Sequence, residues 1–312
     1  MKWILRIFGL VLFLAISAYL VADMRLKPLN EQTRSEAPGA FVDVTDGKIH
    51  YQWDGPEDGP VIVLVHGFST PLFIFEQNVE ALNAAGYRTL RFDHFGRGWS
   101  DRPGGKYDVD FYDRALLEVM DSQGLDQPVG LGGLSMGGPI VAEFAARHPE
   151  RVKSLVLFVP AGLDLASTDS GAAKLIRVPL LGDWIWRMFG RSILLGDSQY
   201  DESALAPESR LRGDVSAQFA YRGVLQALLS SYRHMPMTGR EDTFQRLAAT
   251  QIPVLAIYGD VDDTVLVSSA ARLQDLIPDA DVRVLEGGGH GLNYQNHETV
   301  NPWLTDWFAQ TL

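Results

Sequence analysis

The amino-acid sequence predicts an α/β protein with a doubly wound, mostly parallel β-sheet. Its 312 residues are 46% apolar and 21% charged, which is typical of one large globular domain with a sizeable core. Continuous apolar runs at Val61–Val65 and 154–159 have the composition of strands that are buried on both faces of a parallel sheet. Segments with helical spacing lie between such runs, and this alternation favours parallel strands joined by crossover helices.

The elements of this sheet can be placed in order along the chain. Asp46 and Gly47 form a favourable turn pair between two short strand-like runs, which predicts a hairpin. Gly86 ends a segment with helical spacing and is a good C-cap. The predicted strands are at 41–44, 48–53, Val61–Val65, Arg88–Phe92, the apolar start at Val129 that leads to Ser135, 154–159, 253–258 and 282–285. The predicted helices are at 76–85, 111–120, 139–147, Ser268–Leu276 and 302–310.

The alternation stops between residues 164 and 240. This stretch has helical patches and an aromatic cluster from Trp184 to Phe189, but no strand-like run. We interpret it as a helical cap inserted over the sheet, which leaves 41–163 and 241–312 as the α/β core domain. The aromatic cluster is interpreted as packing of the cap onto the core, with an acyl pocket or a contact with lipid as the alternatives.

The N-terminus has the features of a membrane signal. Lys2 and Arg6 precede an uncharged apolar run over 7–22. We predict that residues 1–25 form an uncleaved signal anchor, because the one small-residue cleavage site lies inside the apolar run. A cleaved signal peptide and a buried helix of the fold are the alternatives. Residues 26–40 are polar, contain Pro and Gly, and are predicted to be a linker. The folded domain is then expected outside the cytoplasm, either membrane-anchored or, after cleavage, secreted or periplasmic.

Composition excludes several classes of function. Acidic residues exceed basic residues by 39 to 27, a formal net charge of −12, and no basic stripe with interleaved aromatic residues is present, so we expect no nucleic-acid partner. The chain has no cysteine, which excludes disulfides, thiolate metal ligands and cysteine nucleophiles. Its seven histidines show no metal-ligand spacing and the glycine-rich stretches do not match phosphate-binding loops, so we expect neither a metal nor a cofactor.

The most informative motif is Gly-x-Ser-x-Gly, in which Gly133 and Gly137 flank Ser135. It follows an apolar run and precedes a segment rich in helix formers, which is the setting of a nucleophile elbow. A sharp turn between strand and helix forces unusual backbone angles on the serine and brings neighbouring chain so close that side chains at the glycines would clash. An ordinary glycine-rich loop is the alternative interpretation of this motif taken alone.

A serine nucleophile needs a base and an acid that orients the base. His290 lies in a Gly-Gly-Gly-His-Gly loop directly after the last predicted strand and is the candidate base; a solvated loop histidine is the alternative. Asp260, Asp262 and Asp263 follow the preceding strand, and the order serine, acid, histidine is the one expected. Asp260 is interpreted as a turn residue and Asp263 as a cap, so Asp262 is the candidate acid.

Developing negative charge on the substrate requires backbone N–H donors. Met136, which follows the serine at the start of a helix, is predicted to supply one donor. Phe68, which follows His66 and Gly67 after a buried strand, is predicted to supply the other. His66 itself is interpreted as structural.

Taken together, these segments resemble the α/β-hydrolase superfamily over nearly everything from Val42 to the C-terminus. The matching motifs are HGF at 66–68, DHFGRGWSD at 93–101, GLSMGG at 133–138, GDVDDTV at 259–265 and GGGHG at 287–291. In that family the aspartate three residues after the strand-end glycine is the acid, which selects Asp262. The set is most similar to capped, cofactor-free esterases and carbon–carbon bond hydrolases. Serine at the elbow, where family dehalogenases and epoxide hydrolases have aspartate, argues against those activities.

The resemblance implies a serine hydrolase that cleaves carboxylic esters through an acyl-enzyme. Ser135, His290 and Asp262 would form the catalytic triad, and the N–H groups of Phe68 and Met136 the oxyanion hole. The expected substrate is a small, apolar ester or acyl compound. The alternatives are a carbon–carbon bond hydrolase, a lipase or an acyltransferase with the same triad, or a ligand-binding protein that keeps the fold but has little turnover.

Overall fold

A computed structural model describes residues 1–166, 171–200 and 209–312 of the chain. Its strands form one sheet in the order β1-β2-β4-β3-β5-β6-β7-β8. The strands are β1 (Ala40–Val44), β2 (Gly47–Asp54), β3 (Val61–Val65), β4 (Arg88–Phe92), β5 (Val129–Leu134), β6 (Val152–Phe158), β7 (Val254–Gly259) and β8 (Asp281–Leu285).

The sheet is mostly parallel, as the sequence predicts. Strand β2 is antiparallel to both of its neighbours, β1 and β4, and all the other neighbouring pairs are parallel. The predicted hairpin is confirmed: Val44 pairs with Gly47, whose φ of +135° suits a glycine at a tight turn. Because the strands run parallel, the carboxyl ends of β3 to β8 meet at one edge of the sheet, where ligands bind in open α/β folds.

Helices cover both faces of the sheet. They are α1 (Lys2–Met24), α2 (Glu31–Arg34), α3 (Glu76–Ala84), α4 (Val109–Ser122), α5 (Gly137–Arg147), α6 (Gly171–Arg177), α7 (Leu181–Leu194), α8 (Leu211–Gln218), α9 (Val224–His234), α10 (Glu241–Ala249), α11 (Ser268–Leu276), α12 (Leu292–Gln295) and α13 (His297–Thr311).

Strand β3 illustrates how the apolar core is divided between these faces. Ile62 and Leu64 pack in one cluster with residues of α3 and α13, whereas Val63 and Val65 pack in the other with residues of α4 and α5. Alternate residues of a strand point to opposite faces, so a continuous apolar run is what a strand covered on both sides requires.

Helix α1 has the length and composition to cross a membrane: an 18-residue stretch within its 23 residues has a mean hydropathy of 2.4, and none of its residues is buried. The polar segment after it, predicted as a linker, contains α2 and is hydrogen-bonded to the folded domain. The N–H of Lys27 donates to the carbonyl oxygen of Ala220 at 2.8 Å, and the N–H of Arg222 donates to that of Lys27 at 2.9 Å. The guanidinium of Arg34 is buried against Trp99 and Asp101.

The stretch predicted as a cap contains α6, α7, α8 and α9. Its described residues contribute no strand to the sheet, only single bridges at Leu165 and Tyr221. Helix α10, which follows, packs on α5 of the core. We therefore keep 164–240 as the proposed cap.

Candidate active site

Ser135 lies at the sharp turn between β5 and α5. Its φ is +53°, an uncommon backbone conformation for a residue with a side chain. A Cβ atom at Gly137 would lie 2.2 Å from the carbonyl oxygen of Val65, and one at Gly133 would lie 2.5 Å from the carbonyl oxygen of Gly137. The two glycines of the motif therefore have the steric purpose that the sequence suggests.

His290 and Asp262 reach this serine from the ends of the neighbouring strands β8 and β7. The Oγ of Ser135 is 3.0 Å from Nε2 of His290, and Nδ1 of His290 is 2.9 Å from Oδ2 of Asp262. The other oxygen of Asp262 accepts hydrogen bonds from the N–H groups of Thr264 and Val265 at 2.8 and 2.9 Å. The carboxylate is thereby fixed, and the three side chains form one continuous hydrogen-bonded chain.

The electrostatics of this chain suit a base. Burial of the imidazole disfavours its charged form, but the hydrogen bond and the negative charge of Asp262 outweigh that effect, so the pKa of His290 is raised above the ordinary 6.5. Both residues are almost fully buried, at 5% and 6% exposure. With Nδ1–H donated to Asp262, Nε2 is the nitrogen left to accept the serine proton.

The neighbouring aspartates have other partners. An oxygen of Asp260 accepts a hydrogen bond from the N–H of Gly287 at 2.7 Å, and one of Asp263 accepts from the hydroxyl of Ser198 at 2.8 Å. Asp260 thus tightens the loop that carries His290, and Asp263 faces the proposed cap. Of the three candidate acids, only Asp262 is hydrogen-bonded to the histidine.

The loop after β3 brings Phe68 beside the serine. A Cβ atom at Gly67 would lie 3.2 Å from both the carbonyl oxygen of Leu134 and the Cβ of Ser135, so a glycine allows this close approach. Within the described part of the chain, neither the N–H of Phe68 nor that of Met136 donates to a protein acceptor. Both groups are free to receive an oxygen, as the oxyanion prediction requires.

The carbonyl groups of the same loop are held by side chains from distant parts of the chain. The fully buried Arg97 donates from Nε to the carbonyl oxygen of Phe68 at 2.9 Å and from Nη2 to the hydroxyl of Ser231 on α9 at 2.8 Å. Gln218 on α8 donates to the carbonyl oxygen of Ser69 at 2.7 Å. Sequence reasoning assigned these residues no role, although Arg97 lies between two glycines of the motif at 93–101.

His66 and His94 hold the start of the loop that carries Phe68 by hydrogen bonds, which agrees with the structural interpretation of His66. Nε2 of His66 accepts a hydrogen bond from the N–H of His94 at 2.9 Å, and Nδ1 donates to the carbonyl oxygen of Gly67 at 2.9 Å. Burial lowers the pKa of His66 to about 4, so the ring is neutral and can accept at Nε2.

A second buried histidine–aspartate pair was not anticipated from the sequence. Nδ1 of His50 is 2.7 Å from Oδ2 of Asp93, and Nε2 contacts the carbonyl oxygen of Pro38. Burial opposes the charge on His50, but Asp93 outweighs it and the pKa of His50 is raised. Since Nε2 is directed at a carbonyl rather than a hydroxyl, this pair can tie β2 to the loop after β4 but cannot activate a nucleophile.

A cavity of about 460 Å³ opens beside Ser135, within the size range of small-molecule sites. Its walls are mainly apolar and come from the core and from the proposed cap. The apolar and aromatic lining residues are Phe68, Met136, Ala161, Leu165, Ala166, Ala173, Ile176, Trp186, Ile193, Leu194, Tyr232 and Met237. Trp186, from the aromatic cluster of the cap, lines this cavity, whereas Trp184 donates its indole N–H to Ala15 of α1 at 2.9 Å.

Among the residues that the structure describes, no three His, Asp or Glu side chains come together as metal ligands. The absence of a metal or cofactor from the activity of this protein stays a prediction.

Comparison with known proteins identifies the family. Residues 60–297 match the sequence profile described as alpha/beta hydrolase fold. The chain belongs to the α/β hydrolase fold family. Relatives in this family include the 2-hydroxy-6-oxononadienedioate/2-hydroxy-6-oxononatrienedioate hydrolase of Burkholderia vietnamiensis, which is 28% identical over 296 residues that cover 90% of this chain and 97% of that protein.

Other relatives are named for different activities. A candidate non-heme chloroperoxidase of Synechocystis sp. is 30% identical over 79% of this chain and 90% of its own length. Among solved structures, a thermophilic esterase from Thermogutta terrifontis superposes with a TM-score of 0.72 at 21% identity, covering 88% of this chain and 99% of that one. At this level of identity the structural likeness shows the fold alone.

The contact between the loops that carry the acid and the histidine gives a stability prediction. A Cβ atom at Gly259 would lie 2.0 Å from the carbonyl oxygen of Gly288, so Gly259→Ala must push these loops apart and should lower the free energy of unfolding by about 1–3 kcal/mol. Gly213 lies in α8 with nothing within 4 Å of its added Cβ, so Gly213→Ala should stabilise by about 0.5–1 kcal/mol. Chemical denaturation of both variants measures the difference; equal effects would contradict the proposed crowding.

Proposed function

We propose that this protein is a serine hydrolase that cleaves carboxylic esters, with Ser135 as nucleophile, His290 as general base and acid, and Asp262 as the residue that orients the histidine. The observation that carries this proposal is the hydrogen-bonded chain from Asp262 through His290 to the serine hydroxyl, which ends at an apolar cavity. Membership of a family whose named members include hydrolases and lipases supports it.

The acylation step follows from these positions. Nε2 of His290 takes the hydroxyl proton as Oγ of Ser135 attacks the ester carbonyl carbon, and the N–H groups of Phe68 and Met136 donate to the developing oxyanion. Asp262 stabilises the imidazolium without taking its proton. Collapse of the tetrahedral intermediate breaks the bond to the alcohol oxygen, which receives the proton from Nε2. The acyl group is then bonded to Ser135.

Deacylation repeats the sequence with water. His290 removes a proton from water, the hydroxide attacks the acyl carbonyl, and the serine oxygen leaves with the proton from the imidazolium. The carboxylic acid is released and the serine hydroxyl is restored. Each oxyanion-hole donor is expected to contribute about 3 kcal/mol to this transition-state stabilisation.

The charges around the cavity favour a neutral ester over a dicarboxylate. The described charged lining residues are Arg177, Asp197 and Asp263, and the guanidinium of Arg177 lies 4.9 Å from the ring centre of Tyr232. One cation beside two carboxylates is a poor site for a dianion, whereas the relative from Burkholderia is named for a dioate. An apolar ester suits this lining better.

We also propose that α1 anchors the enzyme in a membrane and that the folded domain lies outside the cytoplasm. The apolar, unburied surface of α1 and the basic residues Lys2 and Arg6 near its N-terminus support this placement. If the segment is instead cleaved, the domain is secreted or periplasmic.

The nucleophile is tested with Ser135→Ala in the full-length protein, kept in detergent. Wild type should hydrolyse p-nitrophenyl acetate and react with a fluorophosphonate probe at Ser135, and the variant should lose about 10⁴-fold or more in kcat and all labelling. Peptide mapping of the labelled protein locates the adduct. Full turnover by the variant would disprove the role of Ser135, and an unlabelled, inactive wild type would instead support a ligand-binding protein.

The acid is tested by replacing each of the three aspartates with asparagine. Asp262→Asn should lower kcat by about 10⁴-fold, because the amide favours the wrong imidazole tautomer. Asp260→Asn and Asp263→Asn are matched controls from the same loop and should change kcat only slightly. Loss of turnover in a control, with Asp262→Asn active, would move the role to the neighbouring aspartate.

The raised pKa of His290 predicts the acid limb of the pH profile. Protonated imidazole cannot accept the serine proton, so kcat/KM should fall as pH decreases through the pKa of His290, with a midpoint above 6.5. A profile of kcat/KM for p-nitrophenyl acetate from pH 5 to 9 measures it. A midpoint below 6.5 would show that Asp262 does not dominate the environment of the base.

A further inference from the structure

The turn between α6 and α7 presents apolar side chains to solvent. Leu180 is 86% exposed, and Leu175, Val178 and Leu181 are each 45–48% exposed. We refer to these four residues as the apolar tip. Phe189 and Ile193, farther along α7, are also exposed. An apolar patch of this kind on a folded domain marks a contact with a partner or a membrane.

The backbone of Leu180 is strained. Its φ is +64° and its ψ is −55°, a conformation that is costly for a residue with a branched, bulky side chain. Glycine would hold this turn with less strain. Because the exposed leucine gains no burial within the chain, packing of the fold does not explain its presence.

Helix α7 also contacts the apolar helix α1. The indole N–H of Trp184 donates to the carbonyl oxygen of Ala15, and Arg187 pairs with Asp23 at 2.8 Å. Arg187 therefore lies beside the C-terminal end of α1, and Trp184, which is nearer the start of α7, lies beside the middle of α1. Ala15 precedes Met24 by nine residues, about 13 Å along a helix. Leu181, at the start of α7, lies three residues beyond Trp184 in the same direction, about 4–5 Å along the helix.

If α1 crosses a bilayer, this geometry places the tip at the depth of the apolar part of α1 rather than in the water beyond it. The ion pair between Arg187 and Asp23 then lies near the membrane surface, where charged side chains are tolerated. The tip and the apolar part of α1 would then lie in the same bilayer, which is the partner that α1 itself specifies.

The same two helices form a wall of the cavity beside Ser135. Ala173 and Ile176 of α6 and Trp186 and Leu194 of α7 line it, and Ile193 both lines it and is exposed. Ile176 is the residue that links the tip to the site, because it lines the cavity and directly follows Leu175 of the tip on α6. A long acyl chain that enters beside Ile176 would pass from the tip to the apolar wall of the cavity.

We infer that the apolar tip inserts into the bilayer that holds α1, and that the site takes esters of long-chain carboxylic acids directly from that bilayer. This inference rests on the proposed ester hydrolysis and on the proposed anchoring by α1, and it specifies substrates that are dissolved in the membrane.

Insertion of the tip can be measured without activity. The chain contains no cysteine, so Leu180→Cys supplies a unique site for an environment-sensitive nitrobenzoxadiazole label. Val284→Cys on β8, at an exposed valine outside α6 and α7, is the control. With the full chain in phosphatidylcholine vesicles, the label at position 180 should emit at shorter wavelength and be quenched by nitroxide-labelled lipid, and the label at 284 should not. Water-like emission at both positions would overturn insertion.

The substrate class is tested with Leu180→Gly combined with Val178→Thr, against Val284→Thr as control. Glycine has no Cβ and adopts the conformation of residue 180 with little strain, so the turn should be preserved. In vesicles, the double variant should hydrolyse embedded p-nitrophenyl palmitate about tenfold more slowly than wild type, with unchanged turnover of p-nitrophenyl acetate in detergent. The control should match wild type on both esters.

The outcomes separate this inference from the proposed function. Wild type that hydrolyses p-nitrophenyl acetate but not the embedded palmitate, or a double variant equal to wild type on the palmitate, overturns the inference and leaves the proposed function intact. Wild type that hydrolyses neither ester and does not react with the fluorophosphonate overturns the proposed function, while the labels at positions 180 and 284 still decide whether the tip inserts.

Discussion

The left-handed turn at Ser135 is the constraint on which the geometry of the site depends. It is held from both sides: the N–H of the serine donates to the carbonyl oxygen of Phe158 on β6, and its own carbonyl oxygen accepts from the N–H groups of Gly138 and Ala161. The strain of the turn is thus compensated by bonds to the next strand and to the loop that follows it. Relaxation at this residue would carry Oγ away from His290, so the sheet, rather than the loop itself, fixes the hydroxyl.

Two buried histidine–aspartate pairs lie near the carboxyl edge of the sheet, and they have different third partners. In both, a carboxylate holds Nδ1 of the ring and raises the pKa of the histidine. In the pair of His50 and Asp93, Nε2 contacts the backbone carbonyl oxygen of Pro38, so the pair links segments of the chain. In the pair of His290 and Asp262, Nε2 faces a hydroxyl. Whether such a pair can activate a nucleophile therefore depends on the group that faces Nε2, a carbonyl oxygen in one pair and the Ser135 hydroxyl in the other.

The sequence was informative where local pattern decides structure. The predicted bounds of β3 and β4 agree with the structure, and the motifs that follow successive strands do meet, because parallel strands end at the same edge. The choice of Asp262 among three neighbouring aspartates came from the family resemblance. Contacts that join distant segments left no local signal. The bond from Arg97 to Phe68, the contact of Trp184 with α1 and the strained backbone of Leu180 depend on how helices pack, and hydrophobic periodicity does not specify this.

Hydrogen bonds divide the proposed cap into two parts with different freedom to vary. Gln218 of α8 and, through Arg97, Ser231 of α9 are bonded to the carbonyl groups of the loop that carries Phe68. Any exchange of α8 or α9 would therefore disturb the loop beside the nucleophile. Helices α6 and α7 line the cavity without a described bond to that loop. Grafting α6 and α7 from a relative is thus the route by which the specificity of this scaffold can be redesigned while its catalytic geometry is retained.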